Sequence, residues 1–182
     1  MAETKAHGRV VLLLRGINVG GRHSLPMAAL RSLLTDQLRC ADVQTYIQSG
    51  NVVCTAPAAG LKTAEVSQGI EQRLGFTVPV ALRKADEWNA VVAANPFLSP
   101  DTDAEFLHLV LLAEPLSAER WTMLQKTRSG DEQLTAMRRE LYLSLPHGVG
   151  RSKLALACVS PKMPPDATMR NWRTVLQLQS ML

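Results

Sequence analysis

Eight consecutive residues, Arg15-Gly16-Ile17-Asn18-Val19-Gly20-Gly21-Arg22, combine two guanidinium groups with three glycines and an asparagine. Between a strand and a helix such a run has a definite chemistry. Glycines let a phosphate approach backbone N–H groups closely, and the helix N-terminus adds a favourable dipole. Arg15 and Arg22 would add paired, charge-assisted hydrogen bonds. The spacing is neither G-x-x-x-x-G-K-[ST] nor G-x-G-x-x-G. Two readings stand side by side. One is a site for a small phosphorylated ligand held by Arg15, Asn18, Gly20, Gly21 and Arg22. The other is a tight turn in which Gly20 and Gly21 supply positive φ and Asn18 bonds the backbone.

Ser49-Gly50-Asn51 reads as a turn, since Gly and Asn accept positive φ. Near the C-terminus, Thr168-Met169-Arg170-Asn171-Trp172-Arg173-Thr174 places polar residues around one tryptophan. It reads as the opening of a helix capped by Thr168 and docked by Trp172, with Arg170 and Arg173 facing water. The alternative gathers Arg170, Arg173 and Lys153 into a basic cleft. His108 alternates with Phe106 and Val110 on one strand face and reads as a buried histidine. Cys40, Cys54 and Cys158 form no Cys-x-x-Cys pair and read as small core hydrophobes. With no His-Glu-x-x-His, no carboxylate cluster and no nucleophile motif, neither a metal nor a cofactor is expected, and no reaction is assigned.

The elements that position these residues follow from periodicity. Residues 9–14 are an apolar, β-branched run, the pattern of a central strand buried on both faces. Met27, Leu30, Leu34 and Leu38 recur at helical spacing, with Ser24 as a cap and Pro26 in the first turn. The alternation of Val43, Thr45 and Ile47 breaks at Ser49 and resumes over residues 52–55, a hairpin. Val66, Ile70 and Leu74 define a second helix, capped by Thr63 and ended by Gly75. Residues 77–83 complete a β-α-β-β-α-β order, with Pro79 confining that strand to an edge.

A connecting helix over residues 86–94 stops at Asn95-Pro96. The order then repeats: a strand over 106–112, a helix from Ser117 stapled by Leu116 and Trp121, and a hairpin of 134–137 with 141–145. Residues 152–159 are too short to assign by period. A last helix begins near Thr168, with Trp172, Val175, Leu176 and Leu182 inward. The fold class is α+β, two split βαβ units, with a boundary between residues 83 and 84.

At 182 residues the chain is long enough to bury about 70% of its unfolded surface without disulfides or a metal. Its 46% apolar and 20% charged residues match a globular protein. No apolar stretch reaches the roughly 20 residues that span a bilayer. The N-terminus lacks the apolar region of a secretory signal, so a cytoplasmic location and no membrane partner are expected. The net charge of +4 is spread along the chain and selects no partner.

Taken together, residues 12–21, residues 45–53, Ser152-Lys153-Leu154 and residues 168–175 resemble the bacterial domain-of-unknown-function family numbered 1697. Asn95-Pro96-Phe97 fits as well. The resemblance spans essentially the whole chain and implies two ferredoxin-like units without implying an activity. Residues 155–165 depart from the usual pattern, which tends to a more charged helix and a glycine.

Taking strands one and three of such a unit as parallel sets the Arg15 loop and the Ser49 turn at opposite ends of the sheet, with Cys54 and Thr55 as the nearer neighbours of Arg15. Three functions compete: a small-anion site, a structural or interaction protein, and nucleic-acid binding. The last is disfavoured, because the first and third strands lack the aromatics on which RNA-recognition folds stack bases.

Overall fold

The structure is a computed structural model that describes residues 8–21, 23–99 and 102–182. It divides into two compact units, one running to Ala90 and including Leu178–Leu182, the other formed by Val91–Gln177. The boundary read from the sequence falls earlier, just before the last residue of the fourth strand.

In the first unit β1 (Arg9–Leu14) is buried along its whole length, as an unbroken apolar run requires. It is followed by α1 (Met27–Ser32), β2 (Ala41–Tyr46), β3 (Asn51–Thr55), α2 (Thr63–Leu74), β4 (Val80–Lys84) and α3 (Ala85–Ala93), of which the last extends past the unit's end at Ala90. The sheet order is β2-β3-β1-β4, the arrangement of a ferredoxin-like unit. One face carries a core of Val10, Leu12, Leu14, Val52 and Cys54 against Leu30, Leu33, Val66 and Ile70 from the helical side.

β1 runs antiparallel to β3, with Leu13 opposite Asn51 and Arg9 opposite Thr55. This overturns the parallel assignment. The β1-α1-β2 crossover makes the first two strands parallel, the hairpin then reverses the chain, and β3 must oppose β1. Cys54 and Thr55 accordingly lie beside Val10 and Arg9, at the far end of β1 from Arg15.

The second unit contains β5 (Leu107–Leu111), α4 (Ala118–Thr127), β6 (Gln133–Met137), β7 (Glu140–Ser144), α5 (Lys153–Cys158), β8 (Thr168–Asn171) and α6 (Trp172–Ser180), of which the last extends past the unit's end. Its sheet order, β6-β7-β5-β8, repeats the first. Its core joins Val110, Leu141 and Leu143 to Leu124, Leu154 and Cys158.

Several local expectations change. Thr168–Asn171 is an edge strand paired with β5, so Thr168 caps nothing. The helix begins at Trp172, where Asn171 Oδ1 accepts from the Thr174 N–H at 2.9 Å. Leu178, not Leu176, is buried with Trp172 and Val175. Pro26 rather than Ser24 precedes α1, and that helix passes into a π-helical turn over Leu33–Gln37. Lys62 precedes α2, with the Glu65 carboxylate accepting its backbone N–H at 3.3 Å, so Thr63 lies inside the helix.

Gly75 ends α2 at φ 77°, as expected. β4 starts one residue after Pro79 and occupies the sheet edge. Gly69, costly in a helix by about 1 kcal/mol, has a packing reason: a Cβ there would stand 2.6 Å from Leu33 Cδ1. Among the described residues no helix is long and apolar enough to cross a membrane.

Candidate functional site

The antiparallel pairing brings the two glycine motifs to the same end of the first sheet. β1 leaves the sheet through Leu14, whose N–H donates to Gly50 O at 2.9 Å. Arg15 follows, its N–H donating to Pro79 O at 2.9 Å, so the loop departs tied to both neighbours of β1. Gly50 adopts φ 75° and permits this closeness, since a Cβ there would stand 2.6 Å from Leu14 Cβ and 2.8 Å from Ile17 Cδ1.

Asn18 joins the pieces. Its Nδ2 donates to Gln48 O at 2.7 Å and Leu25 O at 3.0 Å, while its Oδ1 accepts from Leu25 N–H at 2.8 Å. The Asn18 N–H donates to His23 O at 3.1 Å, closing the loop on itself. The His23 ring stacks on Phe76 with centroids 4.7 Å apart. Thus the turn reading of Asn18 is realised, and the residue binds protein groups both on its own loop and on the turn before β3. Asn51, fully buried at the head of β3, donates to Tyr46 O at 3.1 Å and Ser49 Oγ at 2.9 Å.

This frame exposes glycine backbone and two aliphatic side chains beside the polar Asn18, His23, Ser24 and Gln48. Gly16, Gly20 and Gly21 all take positive φ, and among the described residues no atom beyond their own chain neighbours lies within 4 Å of where a Cβ would stand. Val19 and Ile47 are 67% and 54% exposed. Ile47 was expected inside the strand alternation, but β2 ends at Tyr46 and Ile47 sits in the turn at φ 50°. That conformation is strained for a β-branched side chain. Arg15 is half-buried at the base of the loop. Arg22 lies outside the described residues. Gln48 and Ile47 were missed by sequence reasoning, and the correct strand direction alone would have brought them in.

The other candidates lie in the second unit. Lys153 opens α5, where Ser152 Oγ accepts from Ala155 N–H at 3.0 Å. Arg170 is half-buried in β8 and donates to Thr168 Oγ1 and Met169 O, both at 2.8 Å. Burial lowers its pKa to about 10. The exposed Arg173 guanidinium pairs with Asp103 at 3.3 Å and Glu105 at 3.2 Å. His108 is buried, and desolvation holds its pKa below the usual imidazole value. Among the described residues no group of three or more His, Cys, Asp or Glu could hold a metal.

At the opposite end of the first sheet a cleft of about 630 Å³ opens between Arg9, Pro57, Leu61, Leu82 and Lys84. Nothing in the sequence pointed to it.

The duplicated sheet order defines the class: an α+β protein of two ferredoxin-like units. Residues 8–142 match the family described as "Protein of unknown function (DUF1697)", and the chain belongs to it. Among solved structures it is similar to conserved bacterial protein SP0830 from Streptococcus pneumoniae. The match has 22% identity and a TM-score of 0.70, covering 95% of this chain and 97% of that one. That likeness shows the shared fold. No curated protein matches the chain.

Proposed function

We propose that the loop end of the first unit binds a small anionic, phosphate-bearing molecule. The observation that carries this reading is the Asn18 clamp, which ties the loop of exposed Gly16, Gly20 and Gly21, begun by Arg15, to the turn before β3. A backbone already ordered loses little entropy when a ligand arrives. Glycines without neighbours leave room for an anion to reach the amides. Gln48 and Ser49 join Arg15, Asn18, Gly20 and Gly21 as the surface the ligand meets, with Arg22 added from the sequence alone. The three free, buried cysteines accord with the reducing cytoplasm as the place of action.

The test is a thermal-shift screen with inorganic phosphate, pyrophosphate and nucleoside phosphates. A rise in melting temperature that Arg15→Ala abolishes supports the reading. No shift at millimolar concentration of any of them refutes it.

A second reading rests on Ile47, whose side chain is both strained and exposed. With Val19 it would contact an apolar partner surface. Loss of binding in Ile47→Asn with retention in Arg15→Ala would favour this alternative.

A further inference from the structure

Apart from the loop end, the first unit holds two thiols in one layer of its core. Cys40 and Cys54 are 4% and 0% exposed and belong to the same hydrophobic cluster. Ala41 pairs with Thr55, so Cys40 falls opposite Ala56, two positions beyond Cys54 on the same face of β3. This is the diagonal relation in which side chains of neighbouring strands touch. Their mutual interaction holds the pKa of Cys40 below, and that of Cys54 above, the ordinary thiol value. Cys40, whose S–H reaches Leu38 O at 3.9 Å, is thus the more readily deprotonated of the two.

The setting of Cys40 permits access. It immediately precedes the edge strand β2, between Arg39 at φ 58° and Asp42 at φ 49°. The β2–β3 pairing shifts register between Ala41 and Gln44. Such an irregular edge opens more readily than a central strand, and the same irregularity leaves slack to bring the two sulfurs into bonding distance. Cys158 lies in the other unit's core, where burial pushes its thiol up to about 12.

We propose that Cys40 and Cys54 are a modification site, oxidised by a small peroxide to a reversible disulfide that fastens edge strand β2 to β3. The Cys40 thiolate attacks one peroxide oxygen, forming a sulfenic acid as the O–O bond breaks and hydroxide leaves, taking up a proton as water. The Cys54 sulfur then attacks the sulfenic sulfur, forming the S–S bond and releasing the second water. The net change is two thiols and one hydrogen peroxide giving one disulfide and two waters. The reaction is independent of what the Arg15 loop binds.

The decisive experiment exposes the folded wild-type chain to hydrogen peroxide, then denatures it in iodoacetamide and maps it by mass spectrometry. The expected product lacks two hydrogens and contains a dithiothreitol-reversible cross-link between the Cys40 and Cys54 peptides. Its urea midpoint should lie above that of the reduced form. In Cys54→Ser or Cys54→Ala, whichever folds, Cys40 should stop at a sulfenic acid that dimedone captures. Full alkylation of both thiols after peroxide, a cross-link through Cys158, or direct passage to sulfinic acid without cross-linking would each overturn the proposal.

Discussion

Asn18 Nδ2 donates to the backbone carbonyl of Gln48 at 2.7 Å, joining the loop after the first strand to the turn before the third. The same amide reaches Leu25 O, and the side-chain oxygen receives Leu25 N–H. One short side chain thus sets the relation between two exposed segments 30 residues apart. Asn18 itself takes φ 54°, which asparagine tolerates better than most residues.

Replacing Asn18 by Ala removes all three side-chain bonds and should lower stability by about 1–2 kcal/mol, from polar groups left unpaired. Asn18→Asp separates the two roles. It keeps the acceptor for Leu25 N–H but points carboxylate oxygen at the two carbonyls, so it should be no more stable than the alanine variant. Urea denaturation of both variants checks this. Wild-type stability in Asn18→Ala would mean the clamp is dispensable.

Gly50→Ala should be more damaging. The new methyl would meet Leu14 Cβ, which cannot swing away, and the backbone would hold a non-glycine residue at φ 75°. Overpacking and left-handed strain together predict a loss of about 3 kcal/mol, measured as a fall in the urea midpoint.

Ile47→Gly should have the opposite sign. The residue is more than half exposed, so little burial is lost, while strain at φ 50° is relieved. A gain of about 1 kcal/mol is expected, visible as a higher melting temperature. A lower one would show that the Ile47 side chain supports the fold.

His108 predicts a pH dependence. Burial lowers its folded pKa below the ordinary value of 6.5, so below pH 6.5 the unfolded chain binds a proton that the folded chain does not. Stability should fall as pH drops from 6.5 toward the folded pKa, and this part of the slope should vanish in His108→Gln. Urea midpoints at pH 7 and about pH 5 for both proteins measure it.

How much of this was legible in the sequence depended on whether hydrophobic pattern or chain direction decided the matter. β1, α2 and the Gln133–Ser144 hairpin are strongly patterned, and the structure places them as read. β8 was read as the start of a helix because Thr168-Met169-Arg170-Asn171 has too few apolar residues to display period two. Its identity comes from backbone pairing with β5, which local pattern does not encode. The two motifs of the candidate site were both visible as glycine turns. Their meeting was missed because β3 was given the wrong direction relative to β1, and every neighbour assigned from that direction was displaced to the far end of the strand. Asn18 was seen as a residue that bonds backbone, but its partner at Gln48 depends on topology.

The two motifs are proposed to form one ordered anion-binding surface. It is tested most directly by titrating isotope-labelled protein with inorganic phosphate and following backbone amide resonances. Concerted, saturable shifts are expected at Gly16, Gly20 and Gly21 together with Gln48, Ser49 and Gly50, all lost in Arg15→Ala. Absence of shifts there, or shifts scattered over exposed lysines and arginines elsewhere, would contradict it.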